Sequence, residues 1–212
     1  MRCRDAVPVV LLVCLVAGCP ATTFVLADPA YRVERSSGWV VVVEVPGESP
    51  LDVPARQVGR QVAAELALRW FNVRDRHLLV QAYPDLGPAL SHAARGLLTG
   101  EHVDPHLADR LLLRHGVGQL LVVDVFRHEQ VWGRDTRITR VGAEARLVRV
   151  ADGNILWQGR TDAAISGATG SAFDTASRRA AEELVRQLCE APPRLADTPF
   201  AAWPVLEYVT PN

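Results

Sequence analysis

Two histidines near the middle of the chain, His102 and His106, have the spacing and the acidic neighbours, Glu101 and Asp104, of a metal site. Imidazole nitrogens and carboxylates bind zinc, and two histidines at this spacing on one helix can share an ion. Here Asp104-Pro105 lies between the histidines, and Asp followed by Pro is typical of the first turn of a helix. The two imidazoles therefore do not share a helical face, and we expect no metal site there.

Three other patterns associated with catalysis or ligand binding are weak. Residues 167–171 read Gly-Ala-Thr-Gly-Ser before a predicted helix, but they lack the Gly-Lys-Ser/Thr of a phosphate-binding loop. No Gly-x-Ser-x-Gly segment is present to hold a nucleophilic serine. Glu182 and Glu183 lie among arginines on the polar side of a predicted helix, where ion pairing accounts for them. The sequence predicts no catalytic residue, metal or cofactor, and we expect the protein not to be an enzyme.

The N-terminus has the composition of an export signal. Arg2 and Arg4 precede an apolar run over residues 6–17, which is about half of the roughly 20 residues that a membrane span needs. Small residues close this run and lead directly into Cys19. A short apolar segment with basic residues before it and small residues after it is typical of a secretory signal peptide.

The segment Val16-Ala17-Gly18-Cys19 resembles the lipobox of bacterial lipoproteins, an apolar residue followed by two small ones and Cys. The resemblance implies that residues 1–18 are a signal peptide and that Cys19 becomes the first residue, diacylated on its thiol and stably anchored. Members of that family held at the inner membrane usually have Asp next, whereas this chain has Pro20. The resemblance thus implies an outer-membrane anchor with the domain in the periplasm. An ordinary signal with an incidental Cys, or an uncleaved helix, are the alternatives.

Cysteine usage and charge limit what the domain can be. If Cys3 and Cys14 leave with the signal and Cys19 is lipidated, Cys189 has no cysteine to pair with, and we expect it to be a small buried hydrophobe. The 23 basic and 24 acidic residues give a net charge of -1, which does not favour nucleic acid as a partner. A composition that is 49% hydrophobic predicts a domain stabilised by its core.

Hydrophobic periodicity predicts the order strand, helix, strand, two helices, three strands and helix. The three long strands are separated by short polar turns, so we expect them to form an antiparallel meander. The fold class is therefore α/β, a mixed sheet covered by helices. The strands are predicted over residues 39–45, 77–83, 119–132, 137–150 and 155–166, and the helices over 54–72, 88–100, 104–115 and 172–190.

The chain divides into an N-terminal lipidated Cys and tether, a central domain and a tail. Residues 19–38 show no sustained period and predict a tether between the lipid and the domain, which occupies residues 39–190. Residues 191–212 contain several prolines interleaved with aromatic residues and cannot form a long helix. We expect this tail to wrap back over the domain through its aromatic residues, and the alternative is a partner-binding arm.

Two segments resemble a known group of periplasmic domains. They are Gly-Val-Gly-Gln-Leu-Leu-Val-Val over residues 116–123 and Arg-Val-Ala-Asp-Gly-Asn-Ile-Leu-Trp-Gln-Gly over residues 149–159. With the element order, they resemble the α/β domain shared by curli-secretion lipoproteins, penicillin-binding-protein activator lipoproteins and the N-terminal domain of the Tol-associated propeller protein. The second segment predicts a tight turn at Asp152-Gly153 with Trp157, Ile155 and Gly159 facing the core. That chemistry serves the fold and carries no catalytic implication.

Two functions remain open. The first is a membrane-anchored envelope lipoprotein whose domain binds another envelope protein as an adaptor, activator or assembly factor, with its oligomeric state undetermined. The alternative is a small-ligand or glycan-binding lipoprotein that uses a cleft between sheet and helices. For the first, we expect the polar face of the meander to dock the partner, because arginine is enriched at protein interfaces and alternating charges give specificity. The candidate docking residues are Arg127, Glu129, Arg140, Glu144 and Arg146.

Overall fold

A computed structural model describes residues 24–28, 31, 34–44, 50–132, 137–166 and 171–190 of the chain. The six strands are β1 (Phe24–Ala27), β2 (Gly38–Glu44), β3 (Asn72–Arg74), β4 (Val117–Trp132), β5 (Arg137–Arg149) and β6 (Ile155–Ser166). The helices are α1 (Asp52–Leu68), α2 (Arg76–Ala82), α3 (Leu86–Thr99), α4 (Pro105–Asp109), which continues into a π-helical turn (Arg110–Arg114), and α5 (Ser171–Glu190).

The strands form one mixed sheet in the order β1-β6-β5-β4-β2-β3. β4, β5 and β6 are the predicted antiparallel meander, and β2 runs parallel to its neighbours β4 and β3. β1 is antiparallel to β6 at the other edge. The predicted α/β fold with a mixed sheet is therefore confirmed.

Helices cover both faces of the sheet where β2 lies. Along β2, Trp39 and Val41 pack into the core under α1 and α5, whereas Val40 and Val42 pack into a second core under α3 and α4. A strand buried on both sides reads as a continuous apolar run, which is why residues 39–43 are Trp followed by four valines. The two cores make a three-layer arrangement in this half of the domain.

The meander extends far beyond β2. β4 has 16 residues whereas β2 has 7, and β2 ends at Glu44 beside Asp124. The remaining part of β4 pairs only with β5, which in turn pairs with β6. α5 covers one face of this extension, with Phe173 packed edge-to-face on the ring of His128. On the opposite face, among the described residues, the core under α3 and α4 reaches Val122 of β4 and Ile155 of β6 and includes no residue farther toward the distal end of either strand.

Local sequence explains where the helices begin and end. The Asp104 side chain accepts a hydrogen bond from the amide of Leu107 at 3.0 Å and caps α4, as Asp104-Pro105 predicts. α3 ends at Gly100, whose φ of 89° is the left-handed conformation that glycine adopts most readily. The turn between β5 and β6 has Gly153 at φ 69°, with the Asp152 carboxylate accepting from the amide of Asn154.

The strand predicted over residues 77–83 is wrong, because this segment is the helix α2. Asp75 caps it, and its carboxylate accepts hydrogen bonds from the amides of His77 and Leu78. A short apolar run has no periodicity that separates strand from helix, so the cap was the better signal. The helix predicted over 54–72 instead ends at Leu68, and the chain then enters the short strand β3, which the sequence did not predict.

The segment expected to be a tether, residues 19–38, contributes to the domain. Phe24–Ala27 pairs with β6, and Tyr31 is buried in the core beneath α5. No sustained alternation marks a strand of four residues, so the prediction had no signal to use. The signal peptide at residues 1–18, Cys19 and the tail at residues 191–212 lie outside the described residues.

Trp157 lies in the core, but one of its predicted companions does not. Trp157 is fully buried under α5, and Gly159 lies on the same face, against the indole. Ile155 instead packs into the core under α3 and α4. An irregularity in the pairing of β5 with β6, where Leu147 pairs with Trp157 and Val148 with Ile155, turns Ile155 to the other face.

Candidate functional site

The distal face of the meander, opposite α5, carries charged side chains around one aromatic ring. Register places Arg127 of β4 and Asp162 of β6 on either side of Gly142 of β5, and Arg140 of β5 opposite Glu129 of β4. We call this surface the open sheet face. It consists of Phe126, Arg127, Glu129, Arg140, Arg160 and Asp162.

A β-bulge sets the geometry of this surface. The pairing of β4 with β5 shifts between Val125 and Arg127, which leaves Phe126 as an extra residue in β4. Its ring lies over Gly142 of β5, where a Cβ atom would come within 2.5 Å of the ring. Glycine at this position therefore lets the phenyl group lie flat on the sheet. The Arg160 guanidinium lies 3.9 Å from the ring centroid on the outside, a cation–π contact.

Ion pairs order the remaining charges on the open sheet face. The Arg127 guanidinium donates to the Asp162 carboxylate at 2.6 Å across the strands, and it lies 3.5 Å from Glu129 on its own strand. Arg140 is exposed and pairs with no carboxylate among the described residues. Arg127 is thus half-buried, and its charge is partly neutralised by its two carboxylate neighbours. Arg140 adds an exposed cation that is unpaired among the described residues, so the face presents charges of both signs.

Glu144 and Arg146 lie on the same face of the sheet but not on its open part. Arg146 Nη1 donates to the carbonyls of Leu97 and Leu98 at 2.8 and 3.0 Å, so the guanidinium caps the C-terminal end of α3. Glu144 accepts from Arg146 and from Gln158 at 3.1 and 2.7 Å. The Arg146 side chain is only 16% exposed and the Glu144 side chain only 12%.

The prediction that Glu144 and Arg146 form a solvated docking surface with Arg127, Glu129 and Arg140 is therefore wrong for these two residues. The alternation of polar and apolar residues along β5 shows which residues share a face, but it does not show where a helix crosses that face. α3 ends over the proximal part of β5, so Arg146 has a structural partner there.

The structure also locates the patterns that sequence analysis set aside. His102 lies against the turn at Gly153, and among the described residues no group of three or more His, Cys, Asp or Glu side chains could hold a metal ion. Residues 167–170 lie outside the described ranges. Glu182 and Glu183 form ion pairs with Arg178 and Arg186, as expected from their spacing. Hydrogen bonding to Arg186 holds the pKa of Glu183 below its usual value despite partial burial.

Cys189 is a half-buried free thiol that packs against the core under α5. Burial raises its pKa above the ordinary value, although the nearby Arg69 and Arg35 act in the opposite direction. A thiol held in its protonated form is a weak nucleophile, in agreement with the expectation of a small buried hydrophobe.

A shallow groove of about 760 Å³ runs between α1, α5 and residues 161–164 of β6. Its lining is mostly charged and of both signs, including Glu65, Arg69, Arg179 and Arg186. Small-ligand sites are usually lined by apolar side chains with a few polar groups, whereas seven of the ten residues that line this groove are charged. It gives the ligand-binding alternative less support than the open sheet face gives to protein binding.

Sequence reasoning missed several exposed or interfacial side chains. Trp132 and Val131, at the distal end of β4, are 74% and 46% exposed, and Trp70, after α1, is 85% exposed. A signal was present for Trp132, since an aromatic residue beside a polar turn has no core to enter. Phe126 had no signal, because its position depends on the bulge.

Among the described residues, no helix is long and apolar enough to cross a membrane.

Comparison with known proteins identifies the fold. No protein-family model matches the sequence, and no curated protein matches it. The PelC dodecamer from Paraburkholderia phytofirmans is similar in structure, with a TM-score of 0.51 at 16% identity over 79% of this chain and 96% of PelC. The hypothetical protein CT253 from Chlamydia trachomatis has a TM-score of 0.50 at 12% identity over 74% of this chain and 99% of CT253.

Bacterial lipoproteins are among the structures that this chain resembles. Lipoprotein GNA1162 from Neisseria meningitidis has a TM-score of 0.49 at 18% identity over 71% of this chain and 99% of GNA1162. At these identities the comparisons with PelC and CT253 show a shared fold, and the predicted α/β architecture agrees with it.

Proposed function

We propose that this protein is a non-enzymatic lipoprotein of the cell envelope, anchored through Cys19, whose domain binds another envelope protein through the open sheet face. The lipobox at residues 16–19 supports the anchor. The observation that carries the binding function is the distal extension of the meander, which α5 covers on one face while the described residues leave the other face without a helix.

The composition of the open sheet face favours a protein partner over a small ligand. An antiparallel sheet can leave one face to solvent, but here that face holds an aromatic ring sandwiched between Gly142 and Arg160. Aromatic and arginine side chains are enriched where proteins bind each other, and paired charges at the rim give specificity.

The partner can be a further copy of this chain. PelC, which shares the fold, forms a dodecamer. The mass of the purified lipidated chain in detergent distinguishes a partner that is a further copy from one that is a different protein. An assembly of copies forms without any other protein and has a multiple of the monomer mass. A monomeric chain that binds a different envelope protein fits the adaptor or assembly role.

Charge reversal on the open sheet face tests the binding surface. The double variant Arg127→Glu and Arg140→Glu reverses two charges on the open sheet face, and the control Arg178→Glu and Arg179→Glu reverses two exposed charges on α5. We expect the first variant to weaken partner capture from solubilised envelopes in a salt-dependent way, and the control to retain it. Matching thermal melts show that both variants are folded.

The competing interpretations give different results. Contacts that map only to α5 or to the tail around Trp203 overturn the open-face proposal. Recovery of a bound metabolite without a stoichiometric protein supports the ligand-binding alternative. For the anchor, mass spectrometry of the mature N-terminus is decisive: we expect a diacylated Cys19, and Cys19→Ser should leave the precursor unprocessed. An unmodified Cys19, or cleavage elsewhere, contradicts the anchor.

A further inference from the structure

The described ends of β4 and β5, on either side of residues 133–136, carry an exposed aromatic side chain and a partly buried basic one. Trp132 is 74% exposed and Val131 is 46% exposed, although both are large apolar residues. The Arg137 guanidinium lies 4.9 Å from the centroid of the Trp132 ring, and its Nε atom is buried. We call Val131, Trp132 and Arg137 the hairpin tip. Tryptophan beside arginine is the combination found at the headgroup level of bilayers, where the indole is amphipathic and the cation meets phosphate.

Strand direction places the N-terminal anchor toward this tip. β1 is antiparallel to β6, with Phe24 opposite Arg160 and Ala27 opposite Trp157. The N-terminal end of β1 therefore points in the direction in which β6 runs from Arg160 to Ser166. Ser166 pairs with Ile138, which pairs with Val131. The end of the sheet that faces the anchor is the end that carries the hairpin tip.

The short connection between Cys19 and Phe24 limits how far the domain stands from the membrane. Phe24 is the fifth residue after Cys19, so their Cα atoms are at most about 18 Å apart. Phe24 lies level with Asp124 of β4 through its neighbours in β6 and β5. From Asp124 to Trp132 the strand extends roughly 25 Å. A bilayer that holds the acyl chains of Cys19 therefore meets the hairpin tip when the sheet stands upright on it.

We propose that the hairpin tip rests in the headgroup layer of the membrane and is a second point of membrane contact besides the lipid. This inference rests on the proposed lipidation of Cys19. Trp132 supplies the interfacial indole and Arg137 the contact to phosphate. Two contacts orient the domain, with the strands of the meander standing across the membrane plane and the open sheet face accessible from the side.

Fluorescence quenching by brominated lipids tests the tip directly. The full lipidated chain is reconstituted in vesicles of phosphatidylethanolamine and phosphatidylglycerol with or without bromine on the acyl chains. Trp39 and Trp157 are fully buried, and Trp70 lies at the opposite end of the sheet, next to β3. In a Trp203→Phe background, which removes the tryptophan of the tail, we expect Trp132→Phe to remove most of the bromine-dependent quenching and Trp70→Phe to leave it unchanged. Thermal melts of both variants confirm that the fold is intact.

The outcomes separate this inference from the proposed anchor. A lipidated chain whose quenching is the same with and without Trp132 overturns the tip contact and leaves the anchor standing. Crosslinks from position 132 to a protein rather than to lipid likewise overturn it. If mass spectrometry of the same sample shows an unmodified Cys19, the anchor is wrong and the tip contact falls with it.

Discussion

The phenol of Tyr31 donates a hydrogen bond to the main-chain carbonyl of Leu188 at 3.1 Å, across most of the length of the chain. The Tyr31 ring is buried in the core under α5, close to Cys189. Burial raises the pKa of Tyr31, and the neighbouring Cys189 adds to the shift, so the phenol remains a donor at every physiological pH. This hydrogen bond thus attaches Tyr31, which precedes β2, to the last described helix of the domain.

Replacing Tyr31 separates the hydrogen bond from the packing. Tyr31→Phe keeps the ring and should lower the free energy of unfolding by about 1 kcal/mol, since it removes one neutral hydrogen bond. Tyr31→Ala also removes the ring and should cost about 3 kcal/mol. Urea denaturation measures both values. Equal effects of the two substitutions would show that the ring packing contributes nothing.

Trp157→Ala should destabilise the domain by about 3 to 5 kcal/mol, because the indole is fully buried and its removal leaves a cavity. The matched control is Trp70→Ala, which removes an indole that is 85% exposed and should change stability little. Thermal denaturation compares the two. An unchanged melting curve for Trp157→Ala together with lost partner binding would make Trp157 an interface residue instead.

Arg146→Ala should destabilise the domain by about 2 kcal/mol, in contrast to substitutions at Arg140. The guanidinium donates to two carbonyls at the end of α3 and pairs with Glu144 in a largely buried site, so its loss leaves these acceptors without a donor. Arg140→Ala is the control, since that side chain is exposed. Chemical denaturation at low and high salt distinguishes this buried contact from a screened surface pair. Equal stability of the two variants would contradict the capping role.

Trp70→Gly should raise stability by up to about 1 kcal/mol, since a non-glycine residue in the left-handed region is strained. Trp70 has φ of 65° immediately after α1, and the Phe71 amide donates to the Leu66 carbonyl across this turn. The indole is mostly exposed and contributes little packing. Urea midpoints measure the change. A clear loss of stability would show that the indole makes contacts that outweigh the strain.

Asp152→Asn should lower the free energy of unfolding at neutral pH, and this loss of stability should disappear in acid. Burial acts to raise the pKa of Asp152, but the Asn154 amide and the Arg149 guanidinium outweigh it and hold the pKa below its ordinary value. A depressed pKa stabilises the fold above the unfolded-state pKa of about 4, and this contribution is lost as the pH falls through the folded-state value. The wild-type chain should therefore be more stable than the variant at pH 7, and the difference should disappear as the pH falls through the folded-state pKa of Asp152. A gap that persists in acid would contradict the ionic origin of the effect.

Sequence alone determined the long elements and their ends. β4, β5, β6 and α5 are long enough for their period to exceed the noise of single residues, and their predicted bounds agree with the structure within two residues. The cap at Asp104-Pro105 and the turn at Asp152-Gly153 were also predicted, because a side chain or a glycine satisfies a local requirement there. These features depend on contacts between residues close in the chain.

Tertiary structure decided which side chains on a strand face are exposed and which short segments pair into the sheet, because both depend on how the elements pack together. Periodicity showed that Arg140 and Arg146 share a face of β5, but only the packing of α3 makes one exposed and the other a helix cap. Pairing with β6 made a strand of Phe24–Ala27, and a shift in register turned Ile155 away from Trp157. These features depend on residues remote in sequence, because the free energy of burying or pairing a side chain is set by the element that packs against it.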